Sequence, residues 1–400
     1  MEGKKDQQGK RMTNVFFLGL VSFFTDASTE MVYPLIPLYL TSAFGATPVL
    51  VGVIEGIAES VASLLKVFSG YISDKFQKKK LIAFTGYFTG LIYKIVLLVA
   101  GSWAGVLCAR VVDRFGKGIR TAPRDVLVSE SADKAAMGKA YGLHKALDMA
   151  GAALGILVTY FLLRDGFSEY KGLFLISIIP AVLGLCMFLF IRETKSERPH
   201  ISRPQLWKSA KGLDGQLKLY LLVVLLFTLG NSSNAFLLLK ASSIGFDDIS
   251  AVLLYFIYNI TASALSFPLG KLSDKVGRKA LLVAGYLVFS VVYSGFAFAW
   301  NRLVFVIVFV LYGVYTAMIT GVERAFVAEI APPELKGTML GLQSTIAGIA
   351  LLPASFITGV LWNTFGSVVP FLFGAALSFI AAMILMFFMK KANTAPERAV

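Results

Sequence analysis

The sequence predicts an all-α membrane protein: twelve transmembrane helices forming two pseudo-symmetric six-helix bundles, with both termini cytoplasmic. Three observations carry that prediction. Of its 400 residues, 56% are hydrophobic and only 16% charged, where a soluble chain keeps roughly a quarter charged. The apolar residues fall in runs, among them Leu219 to Leu229, Leu281 to Ala299 and Phe371 to Met389, which approach or reach the ~20 residues a helix needs to cross a bilayer. Basic residues, finally, occupy alternate connecting loops.

Those basic residues are Lys4, Lys5, Lys10 and Arg11, then Lys75, Lys78, Lys79 and Lys80, then a group from Arg192 to Lys218. Lys275, Arg278 and Lys279 follow, and Lys390 and Lys391 close the chain. The intervening loops near Ala46, Ser102, Asp247 and Thr364 carry almost none. Positive loops stay inside, so the alternation puts both ends in the cytoplasm of a cell with the protein in its inner membrane. It also accounts for the net charge of +14 without a nucleic-acid partner, because no soluble basic domain stands outside these loops. Cys108 and Cys186 both lie in apolar runs and can build neither a disulfide framework nor a metal cluster. Lys4 to Arg11 before an apolar stretch imitates a signal peptide, but Asp26 and Glu30 interrupt that stretch, and the segment reads as a retained first helix.

Helices are expected near 13–41, 49–73, 81–100, 104–122, 138–163 and 172–191 in the first half, and near 219–240, 249–273, 280–299, 303–322, 338–362 and 367–389 in the second. Connections are short except for the polar segment from Arg192 to Lys218, which holds Pro199 and Pro204. The chain thus divides into an N-terminal bundle (1–191), a cytoplasmic linker (192–218) and a C-terminal bundle (219–400). Pro34 and Pro37 in the first helix, and Pro123 after the fourth, interrupt the backbone ladder and mark expected bends.

The halves repeat. Gly70-Tyr71-Ile72-Ser73-Asp74-Lys75 ends the second helix and Gly270-Lys271-Leu272-Ser273-Asp274-Lys275 the eighth, an offset of 200 residues that also pairs Arg124 with Arg324. Parallel six-helix repeats about an axis along the membrane normal are a known transporter plan. On these residues the chain resembles the major facilitator superfamily, whose mark is the loop G-x-x-x-D-[RK]-x-G-[RK]-[RK] after helices 2 and 8. The second copy matches at Gly270, Asp274, Lys275, Gly277, Arg278 and Lys279; the first keeps Gly70, Asp74, Lys75, Lys78 and Lys79 but has Gln77 where the family prefers glycine. Asp113-Arg114-Phe115-Gly116-Lys117-Gly118-Ile119-Arg120-Thr121-Ala122-Pro123-Arg124-Asp125 is similar to a signature of one bacterial branch. The resemblance covers essentially the whole chain. It implies that Asp74 latches one conformation by facing a helix of the opposite half; the plainer reading is that Asp74 and its lysines only fix topology. In physical terms, Gly70 and Gly270 would allow close helix approach, and Asp74 and Asp274 could face the positive end of another helix.

Charges at bilayer depth cost ~2.5–3.5 kcal/mol each on insertion scales and usually face a cavity or a partner. Asp26 and Glu30 are four apart on the first helix, and Glu55 and Glu59 four apart on the second, with Lys66 further along their stripe. On the fourth, Arg110, Asp113, Arg114, Lys117, Arg120 and Arg124 share one face. His144 and Asp148 share a face of the fifth. The second half offers neutral groups instead: Asn231 and Asn234, then Tyr255 and Asn259 where the first half has Glu55 and Glu59. Three readings compete. In one, Asp26, Glu30, Glu55, Glu59 or Asp148 carries a coupling proton; in another, Arg114 or Arg120 forks an anionic substrate group within a cavity of Arg110, Asp113, Lys117, His144 and the second-half residues. In the third, the acids simply neutralise helix four. Glu30 and Arg114 lead as individuals.

Gly116-Lys117-Gly118 lacks phosphate-loop spacing, and only His144 and His200 could serve as imidazole bases, so neither nucleotide binding nor enzymatic catalysis is expected. No cofactor or metal is called for. The family's antiporter pattern is reduced to Gly151 and Gly155, with Ile156 in place of proline. The reading is a monomeric secondary transporter, moving a small organic solute across the lipid bilayer by alternating access and coupled to protons. Proton-driven efflux of drugs or siderophores is one alternative; a non-transporting receptor or scaffold is another.

Overall fold

The computed structural model describes residues 2–76, 78–131, 137–167, 169–193, 214–331 and 336–389, and these are helical apart from short connections. Gln77, most of the expected linker, and Lys390 and Lys391 lie outside the described residues. So do the side chains of 2–11 and 66–77, which include those of Lys66, Asp74 and Lys75 at the first loop motif.

The first set of helices comprises α1 (Glu2–Val32), α2 (Leu35–Phe44), α3 (Pro48–Phe76), α4 (Lys79–Val99), α5 (Trp103–Glu130), α6 (Met137–Arg164), α7 (Tyr170–Ile176) and α8 (Ile178–Met187). The second set comprises α9 (Gly215–Gly230), α10 (Ala235–Ser243), α11 (Asp248–Val276), α12 (Arg278–Phe298), α13 (Arg302–Ile319), α14 (Val322–Ile330), α15 (Lys336–Phe365) and α16 (Val368–Phe388). Several are segments of one broken rod. Among the described residues, 11 rods are long and apolar enough to cross a membrane. The 28-residue α5 matches them in length but not in apolarity, because of the ionised residues along it.

Local chemistry explains the ends. Ser102 caps α5 by accepting from the Gly105 N–H, Asp247 caps α11 by accepting from the Ser250 N–H at 3.0 Å, and Asn301 caps α13 from Val304 at 2.9 Å. Gly277, at φ 92°, turns the chain between α11 and α12 in a conformation that side chains resist.

The expected first helix breaks at Tyr33-Pro34 and restarts as α2. Pro37 then falls in the first turn of α2, where a backbone N–H has no helical partner to lose. Pro123 proves not to end its helix: α5 runs through it to Glu130. The expected seventh helix is likewise interrupted, at Asn231 to Asn234, between α9 and α10. The two interruptions, in the first rod of each set, sit at corresponding positions of the repeat.

Within the first set, α1 packs along α6 and α8, and α5 lies between α3 and α4. In the second, α12 contacts α13 and α16, and α9 lies on α16 and α15. The sets meet where α3 runs along α15 and α6 along α11. Glycines make the α3–α15 crossing close: a Cβ on Gly52 would overlap the Ser355 carbonyl oxygen, and one on Gly359 would stand 2.7 Å from that of Pro48. The second set is bound by aromatic stacking, with Phe227 on Tyr286 at 4.2 Å and Phe289 on Tyr293 at 3.9 Å between centroids.

Candidate functional site

The site is built on α5. Gly116 lies so close to α4 that a Cβ there would overlap Thr89, and Gly118 would place one 2.5 Å from Leu65 of α3. Two glycines flanking Lys117 thus let both neighbours press against α5 while the lysine between them reaches a cavity. That packing is what the Gly-Lys-Gly string provides.

The first two arginines of α5 are both held by carboxylates of α3, although Arg114 Nε keeps no hydrogen-bond partner among the described residues. Arg110, with no exposed surface, donates through Nε and Nη2 to both carboxylate oxygens of Glu55 on α3, at 2.8 and 2.6 Å. Asp113 sits 3.5 Å from Arg110 Nη1 and 3.9 Å from Arg114 Nε. Arg114 pairs with Glu59, one turn along α3, at 2.6 Å. Both guanidinium groups lie over the Tyr33 ring, 5.2 and 5.4 Å from its centroid. Buried pairing of this kind fixes α3 to α5 and leaves the Arg110 fork closed to an anion. Across the set boundary, Ser233 Oγ lies 3.4 Å from Glu55 Oε2.

Below this lattice is a cavity of ≈ 210 Å³ bounded by α1, α5, α6 and α11. Asp26, Thr29 and Glu30 line it from α1, Asp113, Lys117 and Arg120 from α5, Lys145, Asp148 and Met149 from α6, and Asn259 from α11. Lys145 and Asp148 pair at 2.6 Å, and Arg120 lies 4.0 Å from Asp26 while stacking 4.5 Å from the Tyr87 centroid. Glu30 Oε2 is buried without a hydrogen-bond partner among the described residues. Met149 and Ser263 of α11 touch at 3.3 Å and close one wall between the sets.

Of the expected cavity groups, Asp26, Glu30, Asp113, Lys117, Arg120, Asp148 and Asn259 therefore converge. Tyr255 lies beside this group, its ring 5.7 Å from Tyr33. Others are used elsewhere. His144 Nε2 is hydrogen-bonded to Ser22 at 3.0 Å, Asn231 donates to Tyr315 at 3.1 Å, and Asn234 accepts from Tyr312 at 2.8 Å. The neutral second-half asparagines hold the α9–α10 break against the aromatic cluster. Lys145 and Tyr33 fall outside the residues that the sequence points to. The i, i+3 spacing of Lys145 and Asp148 is the one signal available for either of them.

At the second loop motif, Arg278 bridges Asp274 at 3.2 Å and Glu329 of α14 at 3.0 Å. Asp274 thus meets a guanidinium of its own set rather than a helix end of the other. Gly270 has open space around its Cβ position, so close helix approach is not its role in this conformation. Lys275 is exposed.

The model of the Major Facilitator Superfamily matches residues 18–246 and 219–400. The chain belongs to that superfamily. It is 37% identical over 380 residues to an uncharacterized MFS-type transporter of Methanocaldococcus jannaschii, covering 94% of each chain. Its fold is similar to that of the nucleoside transporter NupG, with a TM-score of 0.79, 11% identity and coverage of 94% of this chain and 99% of that one. It is similar also to a D-xylose-proton symporter, with a TM-score of 0.74, 17% identity and coverage of 96% and 98%. This superfamily member is a multi-pass membrane transporter of the secondary type, and not an enzyme.

Proposed function

We propose that the protein moves a small polar organic solute across the plasma membrane by alternating access, coupled to protons. Residues 1–191 and 219–400 act as the two rocking bundles, joined through 192–218, with α5 as a twelfth crossing and both termini cytoplasmic. The protein is taken to act as a single copy.

The cavity between α1, α5, α6 and α11 carries this reading. It holds four carboxylates: Asp113 against Arg110 and Arg114, Asp26 loosely placed against Arg120, Asp148 paired with Lys145, and Glu30 with an unpartnered oxygen. A proton needs a carboxylate whose partner can be exchanged, and those locked into bidentate pairs, such as Glu55, do not qualify. Glu30 is assigned the coupling role, with Asp26 and Asp148 as its relay. A polar lining also favours a polar solute over the apolar drugs of the efflux alternative.

Proteoliposomes with an imposed pH gradient test this. Solute addition should move protons in the wild type, whereas Glu30→Gln should leave the gradient undisturbed even at solute concentrations that saturate it. Undiminished coupling in Glu30→Gln would remove that residue from the role. Binding without flux in either protein would favour a receptor instead.

A further inference from the structure

Resting on the transport reading, we propose that the cavity binds a small amino-acid-like zwitterion, its ammonium group on Glu30 and its carboxylate on Lys117. A carboxylate with one unpartnered oxygen and a half-buried lysine outside any close ion pair share the space. Glu30 Oε2 is buried and accepts no hydrogen bond among the described residues. Lys117 lines the same cavity, and among the described residues no salt bridge within 4.0 Å engages it. The two do not close on each other. A buried carboxylate oxygen left in that state is costly, and one solute carrying both charges would complete it while pairing Lys117.

The surrounding charges argue for a solute with no net charge. Asp26, Glu30, Glu55, Glu59, Asp113 and Asp148 formally balance Lys94, Arg110, Arg114, Lys117, Arg120 and Lys145, while Arg124 is taken by its neighbour Asp125 at 2.9 Å. An anion alone would satisfy Lys117 but face Glu30 and Asp113 across the same space. A cation alone would meet Lys117 and Arg120. A zwitterion leaves the balance unchanged. Size agrees: ≈ 210 Å³ is about seven waters' share of liquid volume, enough for a small amino acid. Asn259 and Thr29 add neutral hydrogen-bonding capacity at the rim of the same space.

Calorimetric titration of the purified full chain in detergent tests the assignment. Glycine, L-alanine, β-alanine and γ-aminobutyrate are each compared with the matched amine and the matched carboxylate. At least one zwitterion should bind saturably, with its amine and carboxylate counterparts each tenfold or more weaker. Glu30→Gln and Lys117→Gln should each weaken zwitterion binding at least tenfold. Equal binding by an amine or a carboxylate alone, silence from all four zwitterions, or wild-type affinity in both variants would overturn the proposal. Should a variant fail to fold, the wild-type comparison across matched solutes still decides. Flux in proteoliposomes is scored separately: zwitterion binding without flux sinks the transport reading alone, and flux of another solute without zwitterion binding sinks only this one.

Discussion

At the scale of single residues, the decisive contrast is between ions that are locked and ions that are available. Glu55 and Arg110 are locked, with at most 1% of either side chain exposed. Arg110→Ala would strand Glu55 with the Ser233 hydroxyl as its remaining hydrogen-bond partner among the described residues, and breaking a buried pair in this way costs about 3–5 kcal/mol. Thermal unfolding should show that loss, and Glu55→Ala with Arg110→Ala should recover part of it. A double variant as unstable as the sum of the singles would show the pair to be uncoupled. The sequence makes the charged stripe of α5 legible, because i, i+3 and i, i+4 spacing puts residues on one face. It does not show which charge on α3 meets which on α5. That depends on the rotation and offset of two helices far apart in sequence, set by glycines such as Gly118 whose role appears only in packing. Arg114 is a leading candidate for an anion fork on sequence grounds for this reason, and Glu59 already pairs with its Nη2.

At the scale of elements, helix positions are readable from apolar runs and helix interruptions are not. Asn231 to Asn234 have no proline to announce a break, whereas Pro123 announces one that does not occur. Gly151 and Gly155 look in sequence like the remnant of a longer motif; on α6 they allow contact with α1, where a Cβ on Gly155 would overlap the Ala27 carbonyl oxygen. Gly155→Leu should cost about 1–3 kcal/mol by overpacking, while Gly101→Ala, with nothing within 4 Å of the added carbon, should stay within about 0.5 kcal/mol of wild type. Parallel thermal melts compare the two, and equal effects would refute the close-approach account. At the start of α11, the Ser250 hydrogen bonds hold the Asp247 carboxyl below the ordinary carboxylate range. Its capping contribution is therefore present above the unfolded-state value and fades as pH falls through the lower folded-state value. Asp247→Ala should cost about 1 kcal/mol near neutral pH and progressively less in acid, measured by melts across pH.

For the whole molecule, contacts joining the two sets include a hydrogen bond from the Tyr170 hydroxyl to Asp248 and the packing of α2 on α10. Both lie on the side away from the chain ends. If these close one face while the other is open, Tyr170→Phe should tip the balance toward the opposite state. A net hydrogen bond worth about 1 kcal/mol corresponds to about a fivefold change in population. A cysteine at Ser42, next to Tyr170, should then react with a membrane-impermeant maleimide about fivefold faster. An unchanged rate would remove that contact from the gate.

The polarity of α5 bears on how the chain is made. As the twelfth crossing proposed above, a segment with so many ions cannot partition alone from the insertion machinery into lipid, at ~2.5–3.5 kcal/mol per central charge. α3 is synthesised first and carries the matching carboxylates, so it would have to wait beside the exit channel and accompany α5 into the bilayer. Removing Glu55 and Glu59 together should leave α5 stalled in water and its flanking loops on the wrong sides, an error visible as protease cleavage near Ser102 in nascent chains before any solute is offered.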